Sequence, residues 1–182
     1  SGPIEQETNA EFLGLYATIR TLFRAEDVNR RNRASVVITG DSIAAGFTPE
    51  RTQRYLPGVD VAGRAIGGDT TVLLQARLAE DVLALKPRVI VISIGGNDLI
   101  RGRCIPQILA NTRGIIETIR RRSPGTRIVF ASMPPTLTWP LNSITPYYTQ
   151  RLRYLTEEYR GVEYVDLRQA LGDKDRPELA AT

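Results

Sequence analysis

Residues 89–94, which read VIVISI, constrain the fold more than any other segment of this chain. The run is apolar and lacks the alternation that marks a strand with one face in water. Continuous apolar runs of this length are typical of strands in parallel sheets, which helices cover on both faces. Strand-like composition recurs at residues 35–39, 59–62, 127–132 and 163–167. We therefore expect five strands, with residues 89–94 buried on both faces.

Segments with helical spacing of apolar residues separate these strands. They cover a stretch after Asn9, residues 70–85, residues 105–119, and a stretch that begins with Thr145 as N-cap and Pro146 as first residue. The apolar stripe expected on the first helix consists of Phe12, Leu15, Tyr16, Ile19 and Leu22. Alternation of strands and helices over 182 residues predicts one α/β domain, residues 1–182, with a parallel sheet.

Composition and charge exclude several classes of function. The formal net charge of +4 comes almost wholly from scattered arginines, and the compact run at residues 120–122 ends a predicted helix, where cations complement the helix dipole. We therefore expect no nucleic-acid partner. No apolar stretch approaches the roughly 20 residues of a membrane span. Cys104 is the only cysteine, so no intrachain disulfide can form. The start Ser1-Gly2-Pro3 is typical of a processed terminus, so the compartment stays undetermined.

Polar and glycine-rich segments follow the first three predicted strands. Gly40-Asp41-Ser42 follows the first, residues 65–70 follow the second, and residues 95–98 follow the third. In parallel α/β sheets the binding site lies beyond the carboxyl ends of the strands. Acyl transfer needs a nucleophile and hydrogen-bond donors for the developing oxyanion. Ser42 can supply the nucleophile, while the backbone N–H of Gly68 and the side-chain amide of Asn97 can supply donors.

Three aspartates accompany these residues. We expect Asp41 to accept hydrogen bonds that hold the nucleophile loop, and Asp69 and Asp98 to cap turns or helix starts. Each segment also has a purely structural explanation, because Gly-Asp-Ser and Gly-Gly occur in ordinary turns and Asn97 can be part of an N-cap. The matching order of the segments on consecutive strands favours a catalytic site over three unrelated turns.

Four segments carry a resemblance to the SGNH, or GDSL, hydrolases, which are named for a serine, a glycine, an asparagine and a histidine in separate blocks. Residues 37–43 (VITGDSI) resemble the first block, 64–71 (RAIGGDTT) the second and 94–99 (IGGNDL) the third, and 131–135 (ASMPP) suit the region after the fourth strand. Ala65 stands where a further glycine is common. The resemblance implies a three-layer α/β/α, flavodoxin-like fold with five parallel strands in the order 2-1-3-4-5. It also implies ester hydrolysis without a metal or other cofactor, through an acyl intermediate on Ser42, with Gly68 and Asn97 in the oxyanion hole.

The chain departs from this family in having no histidine. The family's last block is Asp-x-x-His, followed by a final helix, whereas Asp173 and Asp175 have no histidine three residues later. Lys174 is a weak substitute, because its Asp- and Gly-rich surroundings offer no burial that would favour a neutral amine. We therefore expect a C-terminally incomplete domain without the final helix. Such a chain would have impaired catalysis and could self-associate through the sheet face left uncovered.

Three functions fit these residues. The first is an esterase for small acyl esters, either acetylated sugars or short-chain lipid esters. The second is a catalytically inactive ligand-binding module that retains the cleft. The third, a nucleotide or phosphate binder, is disfavoured because Asp41 places a carboxylate where an anion would lie. The Pro-rich segment 134–142 is expected to be a long loop beside the substrate, in which Trp139 contacts the ligand.

Overall fold

Parallel strands form the central sheet, in the order β2-β1-β3-β4-β5. The computed structural model describes residues 10–136 and 139–171. The strands are β1 Val36–Gly40, β2 Val61–Ala65, β3 Val89–Ser93, β4 Arg127–Ala131 and β5 Val162–Val165. The predicted strands and their order are confirmed, although β2 lies further along the chain than residues 59–62.

Helices flank the sheet and connect its strands. The long ones are α1 Ala10–Asn29, α6 Ile105–Arg122 and α7 Trp139–Glu157, and the short ones are α2 Ser42–Ala45, α3 Pro49–Tyr55, α5 Gly96–Ile100 and α8 Leu167–Leu171. Between β2 and β3, helix α4 Thr71–Arg77 continues as a π-helical turn, Leu78–Val82, and a 3₁₀ turn, Leu83–Leu85. The segment 70–85, which was predicted to be a helix, is therefore helical, but its hydrogen-bond pattern changes after Arg77.

The hydrophobic core lies between the sheet and its helices. Ile90 and Ile92 of β3 are fully buried, whereas Val89 and Val91 are half-buried. The stripe predicted for α6 is buried as well, at Ile105, Ile108, Thr112, Ile115, Ile116 and Ile119. Full burial of an isoleucine stabilises the fold by about 1.5–3 kcal/mol. The central strand is thus confirmed, but burial on both faces is not complete, because the face that carries Val89 and Val91 is only half-buried.

The register of the first three strands brings their carboxyl ends side by side. Gly40, the last residue of β1, pairs with Ala65 at the end of β2 and with Ser93 at the end of β3. The loops that follow these strands therefore leave the sheet at the same edge. This is the edge at which the glycine-rich and polar segments were expected to meet.

Helix α1 buries a narrower stripe than its sequence predicts. Tyr16 is buried, and Phe12, Ile19 and Phe23 pack against the same small cluster. Leu15 and Leu22, however, are 57% and 64% exposed. These leucines directly precede Tyr16 and Phe23, so they point about 100° away from the buried face of the helix. The prediction that they belong to the core is wrong.

Helix α7 begins earlier than predicted. Thr145 and Pro146 were expected to start the helix, but α7 starts at Trp139 and contains Pro146 in its interior. Asn142 explains the early start, because its side chain accepts a hydrogen bond from the backbone N–H of Thr136 and donates one to the carbonyl of Thr136. These bonds attach the first turn of α7 to the preceding loop. The Pro-rich segment is consequently a shorter loop than residues 134–142, and Trp139 belongs to the helix.

Strand β5 forms an edge of the sheet, and Val165 at its end is 45% exposed. Residues 172–182 lie outside the described residues, and so does the expected N-cap Asn9. A single domain over residues 1–182, a missing final helix and self-association therefore stay predictions. Among residues 10–136 and 139–171, no helix has the length and apolar character needed to cross a bilayer.

Substitution of Gly40 by alanine should strongly destabilise the fold. Gly40 has a φ of +136°, and a Cβ there would lie 1.8 Å from the carbonyl oxygen of Ser93. Because that oxygen is backbone of the neighbouring strand, the pair would have to separate, and we expect a loss of at least about 2 kcal/mol in the free energy of urea unfolding. The matched control is Gly63→Ala in β2, where a Cβ meets nothing within 4 Å and stability should change by less than about 0.5 kcal/mol. Equal stability of the two variants would contradict this account of Gly40.

Candidate active site

The first loop holds Ser42 at the carboxyl end of β1. The backbone N–H of Asp41 donates to the carbonyl of Ser93, 3.1 Å away, across the close approach that Gly40 permits. Asp41 then caps α2, and its carboxylate accepts a hydrogen bond of 3.0 Å from the backbone N–H of Ile43. The expectation that Asp41 holds this loop agrees with these contacts. Ser42 follows as the first residue of α2 and is exposed.

The second loop passes directly beside Ser42. A Cβ placed on Gly67 would lie 3.9 Å from the Cβ of Ser42. The next residue, Gly68, has a φ of +83°, and a Cβ there would lie 2.6 Å from the Phe12 ring. Both the backbone conformation and the space therefore require glycine at position 68. The loop between β2 and α4 is consequently held between Ser42 on one side and α1 on the other.

The third loop is hydrogen-bonded to the second. The side-chain amide of Asn97 donates to the carbonyl of Asp69 over 2.9 Å, and Arg101 donates to the carbonyl of Gly68 over 3.2 Å. Asn97 lies within α5 and is not its N-cap, which is Gly95. These two bonds fix the position of the Asn97 amide relative to Gly68.

Asp98 stabilises a helix start, as predicted, but the start belongs to another helix. Its fully buried carboxylate accepts hydrogen bonds from the backbone N–H and hydroxyl of Thr71, the first residue of α4, at 2.9 and 2.6 Å. Arg103 forms an ion pair with the same carboxylate at 3.0 Å. Asp98 therefore connects the third loop to the start of α4.

Asp69 has a different role from the predicted cap. Thr70 is the N-cap of α4, while the carboxylate of Asp69 accepts two hydrogen bonds from the guanidinium of Arg77, at 2.9 and 2.6 Å. Both side chains are fully buried. The prediction that Asp69 caps a turn or helix start is wrong, because its carboxylate is hydrogen-bonded to the buried guanidinium of Arg77.

Sequence reasoning missed Arg77 altogether. The guanidinium also donates to the carbonyl of Arg64 over 2.7 Å and to the hydroxyl of Thr39 over 3.3 Å. A signal was present in the sequence, because Arg77 lies four residues after Leu73 and next to Leu78, on the face of α4 that carries the buried leucines. A cation on a buried helix face requires a partner.

Burial dominates the electrostatics of Asp41 and Asp69. Removal from water raises the pKa of Asp41 to about 6; the hydrogen bond from Ile43 opposes this rise and the charge of Asp98 adds to it. Burial likewise raises the pKa of Asp69 to about 6, against the attraction of Arg77. Asp41 is thus a carboxyl group that changes its charge just below neutral pH.

A cleft of about 440 Å³ opens beside Ser42. Its polar lining comes from Asp41, Ser42, Asn97 and Thr136, and its apolar lining from Ile43, Ile100, Met133, Pro134, Pro135 and Leu141, with Gly96 completing the wall. The structure therefore brings Ser42, Asn97 and Asp41 to one cleft. Gly68 is outside this lining but adjoins it through Gly67. The side chain of Trp139 lies outside the described residues, so its contact with a ligand stays a prediction.

The family profile of the GDSL-like lipases and acylhydrolases matches residues 38–181. The chain belongs to this family. Esterase TesA of Pseudomonas aeruginosa is 28% identical over 112 residues, which are 56% of this chain and 56% of that esterase. The GDSL-family chain thus spans little more than half the length of this curated relative.

Solved structures share the fold of this GDSL-family member. A structure from Streptococcus pneumonia has a TM-score of 0.73 and 21% identity, and the match covers 95% of this chain and 87% of that one. A catalytic mutant of Axe2, an acetylxylan esterase from Geobacillus stearothermophilus, has a TM-score of 0.62 and 22% identity, covering 81% and 87%. At these identities the likeness concerns the fold.

The SGNH block pattern implies a histidine near Ser42, and this chain contains none. Lys174 lies outside the described residues. Lys86 lies three residues before β3 begins, with a left-handed φ of 51°, and is therefore at the edge of the sheet opposite Ser42. Neither lysine is placed beside Ser42 by the described residues.

Asp41→Asn should stabilise the protein more at neutral than at acidic pH. Because the pKa of the folded carboxyl is about 6 and its ordinary value 3.8, the favourable contribution of its protonation is complete below about pH 4 and is lost as the pH rises through 6. The stability of the asparagine variant relative to wild type should therefore grow by up to about 3 kcal/mol between about pH 4 and pH 7.5. Urea unfolding of both proteins at several pH values measures this difference. A difference that stays constant with pH would rule out the raised pKa.

Proposed function

We propose that this chain hydrolyses small carboxylic esters through an acyl intermediate on Ser42. The observation that carries the proposal is the common cleft of Ser42 and Asn97, beside a loop whose Gly68 is held by Phe12 and Arg101. Membership of the GDSL-like family supports the reaction class. An exposed serine next to hydrogen-bond donors is the arrangement that acyl transfer requires.

The proposed reaction has two steps. The Oγ atom of Ser42 attacks the carbonyl carbon of the ester and loses its proton to hydroxide from the solvent, which becomes water. The resulting oxyanion collapses and expels the alkoxide, which takes a proton from water and leaves as the alcohol. Water then attacks the acyl-serine in the same way, releases the carboxylic acid and restores Ser42. In both steps the negative charge on the former carbonyl oxygen needs donors that are already in place.

Gly68 and Asn97 are the proposed donors to this oxyanion. An amide nitrogen carries two hydrogens, so the bond from Asn97 to the carbonyl of Asp69 leaves one for the ligand. The same bond holds the amide in one orientation. At Gly68 the Phe12 ring occupies the space of a side chain, and the backbone N–H is the group proposed to donate to the oxyanion.

The apolar part of the cleft favours a substrate with a short aliphatic acyl group. Six of the lining residues are apolar, and the lining includes a single carboxyl group, that of Asp41. A site for an acetylated sugar would need several groups that bond hydroxyls, because buried hydroxyls without partners are costly. Between the two expected substrate classes, short-chain lipid esters therefore fit this cleft better.

Replacement of Ser42 is the first test of the proposal. With p-nitrophenyl butyrate as substrate, Ser42→Ala should reduce hydrolysis to the rate of the buffer, because the nucleophile is lost. Asn97→Ala should lower kcat by about 10²–10³-fold through loss of one oxyanion donor. Ser143→Ala, an exposed serine of α7 outside the cleft, is the matched control and should retain the wild-type rate. Hydrolysis by Ser42→Ala at the wild-type rate would refute the proposal that Ser42 is the nucleophile of an esterase.

The pH dependence of hydrolysis tests how the serine loses its proton. A chain without histidine has no imidazole base, so the Ser42-dependent kcat/KM should rise about tenfold per pH unit from pH 7 to 9, as expected for hydroxide. A plateau near pH 7 would instead identify a base within the chain.

The missing histidine also favours the second candidate, a binding module that retains the cleft without turnover. Saturable binding of a non-hydrolysable ester analogue, together with equal hydrolysis by wild type and Ser42→Ala, is the result that supports this alternative. A preference for p-nitrophenyl acetate over butyrate and hexanoate, in contrast, would still support ester hydrolysis but would contradict short-chain lipid esters as the preferred substrates.

A further inference from the structure

Helix α1 precedes the residues that the family profile matches, yet it contacts the loop of Gly68. A Cβ at Gly68 would lie within 3.5 Å of three carbon atoms of the Phe12 ring, so this ring packs directly on the glycine. Tyr16, one turn further along α1, is buried and donates a hydrogen bond of 3.3 Å to the carbonyl of Leu73 in α4. The helix is therefore attached both to the loop and to the helix that follows it.

A second connection runs from α1 through charged groups. Arg20 donates to the carboxylate of Asp81 at 2.7 and 3.1 Å. Asp81 lies 3.9 Å from the guanidinium of Arg77, and Arg77 forms the two-bond ion pair with Asp69. The side chains of Asp81, Arg77 and Asp69 are all 0–1% exposed, and that of Arg20 is 16% exposed. The four groups form a continuous, nearly buried row of alternating charge.

The position of Asp69 gives this row a consequence for the site. Its carboxylate is held by Arg77, its carbonyl accepts the amide of Asn97, and its peptide neighbour is Gly68. The positions of both proposed oxyanion donors therefore depend on the backbone of Asp69. A shift of its side chain would therefore move the backbone from which Gly68 and Asn97 are positioned.

Arg77 lies between two carboxylates, those of Asp69 and Asp81, and Arg20 pairs with the second of them. With Arg20 present, Asp81 has its own cation, and Arg77 can give two hydrogen bonds to Asp69. Without Arg20, Asp81 would be a buried carboxylate whose remaining cation is Arg77. Because an uncompensated buried charge is strongly unfavourable, Arg77 would move toward Asp81 and loosen its hold on Asp69.

We propose that Arg20 and Phe12 of α1 are positioning residues for the oxyanion loop. Arg20 acts through Asp81 and Arg77 on Asp69, and Phe12 acts by contact with Gly68. The inference rests on the proposed function in one respect, the assignment of Gly68 and Asn97 as oxyanion donors. It extends the catalytic unit beyond residues 38–181 to a helix that the family profile does not include.

Arg20→Gln tests the charged connection. The variant should lower kcat for p-nitrophenyl butyrate by roughly tenfold or more, since small misplacements of catalytic groups can cost up to about 10²-fold, while KM stays within about twofold. Arg24→Gln is the matched control on the same helix, because Arg24 is 61% exposed and pairs at 3.5 Å with the exposed Glu80. It should leave kcat unchanged. Arg20→Lys, which keeps the charge, should restore most of the activity.

Phe12 is tested by a large and a conservative change. Phe12→Ala should lower kcat in the same way, and Phe12→Leu, which keeps an apolar group over Gly68, should restore it. All rates are measured well below the Tm of each variant, so that loss of folded protein does not lower the measured kcat. Hydrogen exchange at the amides of residues 67–69 should increase in Arg20→Gln and Phe12→Ala but not in Arg24→Gln.

The outcomes separate this inference from the proposed function. A lower Tm for Arg20→Gln with unchanged kcat would overturn the positioning role, while the loss of hydrolysis in Ser42→Ala would still support the esterase. Equal losses of kcat in Arg20→Gln and Arg24→Gln would also overturn it, because the effect would then come from helix charge in general. If wild type and Ser42→Ala hydrolyse the ester equally, the proposed function fails and the inference fails with it.

Discussion

The buried ion pair between Arg77 and Asp69 is the interaction on which most of the candidate site depends. The guanidinium of Arg77 also donates to the backbone of β2 at Arg64 and to the side chain of Thr39 in β1. One side chain thereby joins two strands, helix α4 and the second loop. A buried pair of this kind adds little net stability, whereas loss of one partner costs about 3–5 kcal/mol. We interpret the pair as selecting one arrangement of the loop beside Ser42.

The parallel register of the sheet supplies the other half of the geometry. It aligns the carboxyl ends of β1, β2 and β3, so that the nucleophile loop and the two donor loops leave from the same edge. Hydrogen bonds from Asn97 and Arg101 to the second loop then fix the donor loops to each other. Side chains that donate to backbone carbonyls of the second loop thus hold the groups that would meet the ester.

Local sequence patterns predicted what depends on local structure. The apolar run at residues 89–94 predicted the central strand, and the block resemblance predicted both the strand order and the meeting of Ser42 with Asn97. Features that depend on distant partners were not predictable in this way. The early start of α7 depends on hydrogen bonds between Asn142 and Thr136, and the role of Asp69 depends on Arg77. Periodicity alone also assigned Leu15 to the core, because spacing does not reveal how wide a face the neighbours cover.

The most direct test of the central claim is a crystal structure of the chain with a phosphonate covalently bound to Ser42. The phosphonate oxygen that mimics the oxyanion should lie about 2.7–3.1 Å from the backbone nitrogen of Gly68 and from the side-chain nitrogen of Asn97. Its alkyl group should lie against the apolar wall of the cleft. An adduct on another residue, or an oxygen that points away from both nitrogens, would contradict the account of this site.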